Sequence, residues 1–307
     1  MRDRIFFVVN PVSAAKSTGK IWPQYAVALK EQGFEFDYEF TERPEHATEL
    51  TAKALKDGYG TIVSVGGDGT MNEVVNGFFE NGGLINAAAR LAVFSRGTGC
   101  DFIRSIGIKK GFDDLVSLLK RNDTIKCDIG KVNFLSYKGY IMEKYFLNVA
   151  DIGLGGETTN RVNKTSKVLK GFLSFLICAV KSILSYKNKQ FELIIDGATV
   201  YKEKLNSVVI ANGQYFGGGM QIAPNAVLDD GVFDVIVLGN LTKPEIFTSF
   251  PLIYKGKHLK HPKLKQLRGR RVTVRCEEKA LLEIDGEQLG TSDAEFEILP
   301  NLISVLK

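Results

Sequence analysis

The sequence predicts an α/β domain with a mostly parallel sheet, followed by a domain that is an antiparallel β-sandwich. Strand-like and helix-like runs alternate up to about Thr124, which is typical of a parallel sheet covered by helices. Beyond that point, short apolar or alternating runs recur with turns between them, which is typical of a sandwich or partial barrel. A glycine-rich turn within Thr61–Val75 joins a β-branched run to a helical one.

Local composition and turn residues predict the strands and helices of the first domain. Strands are predicted at Ile5–Val9, Phe34–Phe40, Thr61–Val65 and Leu91–Phe94, and helices after Lys16 to about Gln32, at Glu45–Leu55, from Asp101 and at Gly111–Lys120. Ligands of such sheets lie at the carboxyl ends of the strands. The polar residues at these ends are Asn10, Thr41, Gly66–Asn72 and Gly97–Asp101.

The second domain is predicted to contain several short strands and one long helix. The strands are Tyr145–Ala150, Phe191–Ile195, Ser207–Ala211, Val232–Leu238, Arg271–Arg275 and Ala280–Ile284, with a final strand at Phe296–Leu299 or Leu302–Leu306. The helix runs from about Ser166 to Tyr186. No linker of low complexity separates the two parts, which favours two closely packed domains.

Composition indicates a globular protein of a reducing compartment. The chain has 307 residues, of which 44% are hydrophobic and 24% are charged. Its four cysteines are far apart, which argues against a zinc site or a disulfide framework. We see no signal peptide and no apolar stretch of about 18 residues, so we expect a cytoplasmic protein without a membrane span.

The positive charge is concentrated outside the glycine-turn domain. Residues 1–124 carry 15 Lys and Arg against 16 Asp and Glu, and the remaining residues carry 25 against 19. Lys255–Arg275 contains nine Lys and Arg and no acid. Such a surplus predicts an anionic partner, either a nucleic acid or a membrane surface. Because aromatic residues are almost absent from this run, we predict a membrane surface and no nucleic acid.

The glycine turn has the chemistry of a phosphate site. Gly66, Gly67 and Gly69 allow backbone N–H groups to approach an anion, and the start of the next helix adds a positive dipole. Asp68 would repel a phosphate, so it is expected to orient a neighbouring group or to hold a metal or a hydroxyl. A strand–helix turn without a ligand is the alternative explanation.

The run Gly66–Thr70 (GGDGT) resembles the signature of diacylglycerol kinases, sphingosine kinases, NAD kinases and, more distantly, phosphofructokinases. The continuation Met71–Val74 is similar to the lipid-kinase branch. On these residues the chain is identified as a member of the bacterial diacylglycerol kinase-like lipid kinases. The resemblance implies an NAD kinase-like fold with a three-layer first domain, residues 1–124 plus a returning segment at about 291–307, and a lipid-substrate domain at residues 125–290.

The resemblance also implies ATP and Mg²⁺ as cofactors and assigns nucleotide contacts. Asn10–Ser13 looks like the first nucleotide loop, and Gly97–Phe102 resembles a second motif of the family. Cys100 stands where the family usually has Asn, so one amide contact is missing. The predicted nucleotide-binding residues are Asn10, Pro11, Val12, Ser13, Ala14, Thr41, Gly66, Gly67, Asp68, Gly69, Thr70, Met71, Asn72, Thr98 and Asp101.

Asp285-Gly286-Glu287 is the second strong motif. If these residues lie in a strand, the two carboxylates point the same way and suit the deprotonation of a hydroxyl. A surface hairpin is the alternative. The motif resembles the catalytic DGE of the family, which implies Glu287 or Asp285 as the base, with Asp68 as the third catalytic residue.

Ala223–Asp234 is dense in oxygen ligands and in turn formers. It resembles the structural metal loop of the lipid kinases, and the matching positions are Val227, Asp230 and Val232. Oxygen-only ligation suits Mg²⁺. An Asp-Asp-Gly turn between two strands, however, needs no metal.

These residues together predict an ATP-dependent lipid kinase, with diacylglycerol as the first-choice acceptor. NAD kinase is one alternative, and a non-catalytic protein of the same fold that binds anionic lipid or nucleic acid is another. The apolar cluster around Phe172–Ile177, with lysines on both sides, predicts peripheral contact with an anionic membrane. Packing of that cluster on the β domain is the alternative, and the oligomeric state stays open, with a homodimer included.

Overall fold

The computed structural model describes residues 4–97, 99–164 and 172–307. Contacts divide the chain into two compact units, Met1–Cys127 with Asn301–Lys307, and Asp128–Pro300. Two crossings of the chain therefore connect them. Thr98 and residues 165–171 lie outside the described residues.

The first unit alternates strands and helices, as its sequence predicts. In chain order its elements are β1 (Ile5–Val9), α1 (Ser13–Glu31), β2 (Phe36–Phe40), α2 (His46–Lys56), β3 (Thr61–Gly66), α3 (Asp68–Asn76), the short strands β4 (Phe79–Glu80) and β5 (Gly83–Leu84), β6 (Arg90–Ser95), α4 (Asp101–Ile106) and α5 (Phe112–Arg121). The next strand, β7 (Thr124–Ser136), begins in this unit and continues into the second.

The sheet of the first unit is parallel, with the strand order β6, β3, β1, β2. Phe7, Val63 and Phe94 on one face form a core with Trp22 of α1 and Leu118 of α5. Helices α2 and α3 contact β1 and β3, which completes a three-layer arrangement. Parallel strands have their carboxyl ends at one edge, so the residues after β1, β2, β3 and β6 lie along the same edge.

The second unit is mainly antiparallel. Its further elements are β8 (Ile141–Phe146), β9 (Val149–Gly153), α6 (Leu154–Lys164), α7 (Phe172–Ser185), β10 (Lys189–Ile195), β11 (Ala198–Leu205), β12 (Ser207–Ala211), β13 (Tyr215–Phe216), β14 (Met220–Gln221), β15 (Phe233–Leu238), α8 (Lys243–Ile253), β16 (Leu264–Gly269), β17 (Arg271–Cys276), β18 (Leu281–Ile284) and β19 (Glu287–Leu306). One sheet path runs β16, β15, β12, β9, β18, β19, and β10 pairs with β11 and β17. Phe146, Phe191, Phe233 and Phe296 belong to one buried core contributed by several of these strands. None of the helices in the described part of the chain is long and apolar enough to cross a membrane.

The returning segment is shorter than the sequence predicts. It begins at Asn301 rather than at about residue 291. Residues 294–297 of β19 instead pair with β17 inside the second unit. Only the last stretch of β19, at Ser304 and Val305, pairs in parallel with β6 of the first unit.

Two other element predictions need correction. The run Tyr145–Ala150 is not one strand, because β8 ends at Phe146 and β9 begins at Val149. The helix predicted at Ser166–Tyr186 is described from Phe172 to Ser185, and its first part lies outside the described residues. Helices α6 and α8 were not predicted, although a capping box at Thr242 and Glu245 marks the start of α8.

Candidate active site

The glycine turn lies where β3 ends and α3 begins. Gly67, the N-cap residue of α3, has no side chain to cap the first turn of the helix, so this turn is open to an anion. A Cβ at Gly66 would lie 2.4 Å from Thr70 Oγ1, so a larger residue would push the turn open. The turn therefore has the geometry of a phosphate cradle.

The glycine turn also touches the loop after β6. A Cβ on Gly97 would lie 2.6 Å from the Cα of Gly67, a contact between two backbones that no side-chain rotation can relieve. Arg96 N–H donates to the carbonyl of Gly66 at 2.6 Å, which holds the same two loops together. The two loops form one packed surface at the edge of the sheet.

Replacing Gly97 with Ala should therefore separate the two loops. We expect a loss of about 1–3 kcal/mol of folding stability, because the backbone must move to admit the new methyl group, together with weaker ATP binding. Thermal unfolding and calorimetric titration with ATP measure the two effects. Gly83→Ala is the matched control, because the nearest atom to its Cβ is 4.0 Å away. Unchanged ATP affinity in Gly97→Ala would remove this contact from the nucleotide site.

The first predicted nucleotide loop is tied to the glycine turn. Asn10 Nδ2 donates to Thr70 Oγ1 at 2.8 Å, and Asn10 Oδ1 accepts from the N–H of Val12 at 3.1 Å. Ser13 Oγ donates to the carbonyl of Asn10 at 2.8 Å. Ala14 has φ 49°, in the left-handed region, which accounts for the glycine that the family often has there. Pro11 and Val12 lie in the same loop, and Val12 is exposed.

The other residues predicted to contact the nucleotide differ in their burial and in their hydrogen bonds. Thr41 lies at the end of β2 and donates its N–H to the carbonyl of Val9 at 2.9 Å. Met71 and Asn72 are buried, and Asn72 Oδ1 accepts from Asn76 Nδ2 at 3.2 Å. These two side chains therefore serve the interior of the first unit. Thr98 lies outside the described residues.

Asp68 connects the glycine turn to the start of α4 by hydrogen bonds. Its Oδ2 accepts from the N–H of Cys100 at 2.8 Å, and its Oδ1 accepts from the N–H of Asp101 at 3.0 Å. Burial raises the pKa of Asp68, whereas the N–H donors of Cys100 and Asp101 favour its charged form. The structure thus gives Asp68 the orienting role that its position in an anion cradle suggests.

Cys100 occupies an interior position rather than a ligand position. Its φ is 56°, a left-handed conformation in which Asn is enriched, and this accounts for the Asn of the related sequences. Its thiol is fully buried and donates to the carbonyl of Gly97 at 3.0 Å. Asp101, in the first turn of α4, is buried, and its Oδ1 lies 3.9 Å from Arg104 Nε.

The second catalytic motif is a turn between β18 and β19. Asp285 and Gly286 have φ of 47° and 87°, so the assumption that Asp285 and Glu287 lie in one strand is wrong. The Asp285 carboxylate accepts three backbone N–H groups, from Leu147 at 3.2 Å, Asn148 at 3.1 Å and Val149 at 3.0 Å. Asp285 therefore anchors the turn.

Glu287 has different surroundings from Asp285. It is the first residue of β19 and is exposed, whereas Asp285 is buried. Glu283, at the other end of the turn, accepts the N–H of Gly286 at 2.9 Å through Oε2. Two buried carboxyl groups thus fix the backbone on both sides of Gly286. Of the two proposed bases, this geometry favours Glu287.

The predicted metal loop does not fit Mg²⁺ as the structure arranges it. Asp230 Oδ2 is ion-paired with the guanidinium of Arg268, and Asp230 Oδ1 accepts from the N–H of Val232 at 3.3 Å. A cation at this carboxylate would have to displace Arg268. The assignment of Val227, Asp230 and Val232 as metal ligands stays a prediction.

Two buried polar residues shape these loops, and sequence reasoning missed the second of them, Asn212. Asp128 Oδ2 accepts the N–H of Gly231 at 2.6 Å, which holds the loop between β14 and β15 in place. Asn212 Nδ2 donates to the carbonyls of Asp128 and Leu147, at 2.9 and 2.7 Å. The only local signal was the position of Asn212 at a strand end, since its partners lie far away in the chain.

Solved structures share the fold of this chain. A crystal structure from Bacillus anthracis assigned provisionally to the diacylglycerol kinases has a TM-score of 0.77 at 21% identity, covering 99% of this chain and 95% of that one. An NAD kinase from Archaeoglobus fulgidus in complex with ATP has a TM-score of 0.53 at 14% identity, covering 99% and 93%. The predicted fold class, an NAD kinase-like α/β domain with an antiparallel sandwich, is confirmed.

Family models match both parts of the chain and define it as a kinase. The diacylglycerol kinase catalytic domain family model matches residues 4–132, and the YegS C-terminal NAD kinase beta sandwich-like domain model matches residues 148–307. The chain belongs to the diacylglycerol kinase-like family, as the sequence motifs predict. It is an enzyme of the lipid kinase type, which uses ATP.

Curated relatives extend over nearly the whole chain. A diacylglycerol kinase of Staphylococcus carnosus is 29% identical over 99% of this chain and 95% of its own length. A diacylglycerol kinase of Staphylococcus aureus is 28% identical over 99% of this chain and 92% of its own length. Both predicted motifs, the glycine turn and the Asp285–Glu287 turn, lie within the aligned length.

Proposed function

We propose that the protein transfers the γ-phosphoryl group of ATP to the free hydroxyl of diacylglycerol, giving phosphatidic acid and ADP. The observation that carries this proposal is the exposed Glu287, held on a turn anchored by Asp285, in a chain that also has an uncapped glycine turn. The names of the curated relatives support the choice of lipid.

In this proposal the glycine turn binds the phosphates of ATP, and Glu287 removes the proton from the acceptor hydroxyl. The acceptor hydroxyl oxygen bonds to the γ-phosphorus, the bond to the β–γ bridging oxygen breaks, and ADP leaves with the electron pair. Glu287 takes the hydroxyl proton. N–H groups of the glycine turn and the start of α3 bind phosphate oxygens. ATP enters as its Mg²⁺ complex, and the ion offsets phosphate charge.

Asp68 acts indirectly in this scheme. Both of its oxygens already accept N–H groups from the start of α4, so it sets the distance between the glycine turn and the loop of Cys100 and Asp101. Phosphoryl transfer depends mostly on positioning and charge neutralisation, so a displaced loop lowers the rate.

The direct test is an assay with radiolabelled ATP and a panel of acceptors in mixed micelles. The panel contains diacylglycerol, a sphingoid base, a ceramide, phosphatidylglycerol, a polyprenol and free NAD. We expect labelled phosphatidic acid from diacylglycerol. Label in NAD alone would overturn the proposal in favour of an NAD kinase, and label in another lipid would overturn the choice of acceptor.

We also propose that the second unit binds the surface of an anionic membrane. Apolar side chains are exposed on two helices that contact each other, Ile177, Val180 and Leu184 on α7 and Phe247 and Leu252 on α8. We call these five residues the apolar helix face. Four exposed lysines lie on these helices or directly after α8, namely Lys181, Lys243, Lys255 and Lys257. Apolar residues with flanking lysines suit a segment that lies in the headgroup region.

The basic run contributes less to this surface than its sequence suggests. Four of its members form ion pairs within the second unit, Lys263 with Glu245, Arg268 with Asp230, Arg271 with Glu297 and Arg275 with Glu192. The lysines close to the end of α8 are therefore the main candidates for contact with lipid headgroups.

Leu184→Ser should weaken vesicle binding. Leu184 is 52% exposed, so the change leaves the interior of the unit largely intact. Burial of a Leu side chain is worth about 1.5–3 kcal/mol, which corresponds to at least about a tenfold loss of partitioning into vesicles that contain phosphatidylglycerol. Co-sedimentation over a salt series measures it, because exposed charges are screened beyond about 8 Å at physiological salt.

The matched control is Val27→Ser on α1 of the first unit, where the side chain is 57% exposed. Equal loss of binding in both variants would contradict a role for the apolar helix face. Binding to phosphatidylcholine vesicles as tight as to anionic ones, and unaffected by salt, would contradict the role of the lysines.

A further inference from the structure

Two carboxyl side chains lie next to each other in the interior of the second unit. Asp151 of β9 and Glu283 of β18 stand directly opposite each other in the antiparallel register, and each is only 3% exposed. Directly opposed residues of such a pair point to the same face, with Cβ atoms about 4.5–5.5 Å apart. Two acids in this position are costly unless their charge is reduced.

Asp151 is held by the start of α6. The Ser207 side chain and the Gly155 backbone favour the charged form of its carboxyl, against the effect of burial on its pKa. A Cβ on Gly155 would lie 2.2 Å from Asp151 Oδ2, so the helix starts this close to the carboxyl only because residue 155 is glycine. Asp151 Oδ1 has no hydrogen-bond partner among the described residues. Asp151 Oδ1 can therefore carry a proton.

The charges that act on Glu283 are all negative. Burial raises the pKa of Glu283 well above its ordinary value, and the charge of Asp151 raises it further. Burial raises the pKa of Asp151 to about 7. Several ionisable groups surround the pair. Asp285 and Glu287 act on Glu283, and Tyr186, the residue after α7, interacts with Asp151. Cys276, Glu278 and Glu157 interact with Tyr186, and Glu157 of α6 pairs with Arg161.

Glu283 also connects the pair to the catalytic turn. Its Oε2 accepts the N–H of Gly286 at 2.9 Å, and Gly286 immediately precedes Glu287. A change in the charge or position of Glu283 therefore acts on the backbone that carries Glu287. The Asp285–Glu287 motif alone does not predict this link between Glu283 and the backbone of the turn.

We propose that Asp151 and Glu283 share one proton in the working enzyme, and that this singly charged pair is a positioning device for Glu287. The shared proton joins the two carboxyl groups through a hydrogen bond and leaves Glu283 Oε2 to accept the Gly286 N–H. It also limits the negative charge near Glu287, which must itself be ionised to act as a base. The positioning role rests on the proposed lipid kinase function, whereas the shared proton does not.

The first test measures melting temperature against pH for the wild type and Glu283→Gln. A carboxyl whose pKa is higher in the folded than in the unfolded chain binds its proton more tightly when folded. For Asp151 this stabilising effect is therefore complete below about pH 4 and is lost as the pH rises through about 7. Gln cannot ionise, so the fall in melting temperature between pH 5 and 8 should shrink by several degrees.

The control for this test is Glu203→Gln on the exposed strand β11, which should reproduce the wild-type slope. A wild-type slope in Glu283→Gln would overturn the shared proton. This measurement needs no substrate, so it remains decisive even if the protein phosphorylates no lipid.

The second test concerns positioning. At pH 7 Glu283→Gln keeps an oxygen for the Gly286 N–H and should retain kcat within about threefold, with the alkaline limb of the pH–rate profile moved upward. Glu283→Leu lacks that oxygen and should lose at least about tenfold in kcat with the KM for ATP unchanged. A wild-type kcat in Glu283→Leu, or an unmoved alkaline limb in Glu283→Gln, would overturn the positioning role.

Discussion

Glu287→Gln is expected to lower kcat for phosphoryl transfer by about two to four orders of magnitude, the usual contribution of a general base. Gln keeps the size of the side chain but cannot accept the hydroxyl proton. The dissociation constant for ATP should change by less than about twofold, because the lost interaction is made in the transition state. Single-turnover kinetics with radiolabelled ATP and a titration with ATP measure the two quantities.

Glu295→Gln is the control for that result, since Glu295 is an exposed glutamate of the same strand, β19. It should turn over as the wild type does. Retention of more than about a tenth of the wild-type rate in Glu287→Gln would correspond to less than about 1.4 kcal/mol of barrier and would exclude Glu287 as the base.

Asp68→Asn is expected to affect stability and catalysis together. Asn retains one oxygen but presents an NH₂ group to one of the two N–H donors, Cys100 or Asp101, so at least one hydrogen bond to a charged acceptor is lost. Such a bond is worth about 1.5–3 kcal/mol. We expect a lower melting temperature, weaker ATP binding and a fall in kcat/KM of about a hundredfold.

Unfolding in denaturant and steady-state kinetics test this expectation, with the exposed Asp57→Asn as the control. A variant with lower stability but normal kcat/KM would show that Asp68 serves only the fold. Normal stability with no turnover would show the opposite, that the carboxylate acts on the nucleotide or its metal rather than on α4.

Local patterns predicted the first unit well because its elements and its ligand edge are built from neighbouring residues. The strand, glycine turn and helix at Thr61–Asn76 are consecutive, so their chemistry can be read directly from the chain. Even there the partner of Asp68 was not predictable. Its hydrogen bonds go to residues 32 and 33 positions away, and no periodicity reports such a contact.

The second unit was predicted less completely because its turns depend on distant side chains. Tyr145–Ala150 reads as a continuous strand, yet the strand breaks at Leu147 and Asn148, whose N–H groups bond to Asp285, 138 and 137 residues further on. Glu283 and Asp151 each look like ordinary strand residues. Only the register of β9 against β18 brings them together.

The path of β19 has a consequence for how the protein folds during synthesis. Ser304 and Val305 pair with Arg90 and Leu91, and Leu306 joins the core of the first unit. The first unit therefore lacks a strand and part of its interior until residues 301–307 have left the ribosome. Contacts between residues so distant in sequence slow folding, because a long loop must close before they form. Nascent chains halted before residue 301 should thus carry an incomplete first unit, although most of its residues were made first.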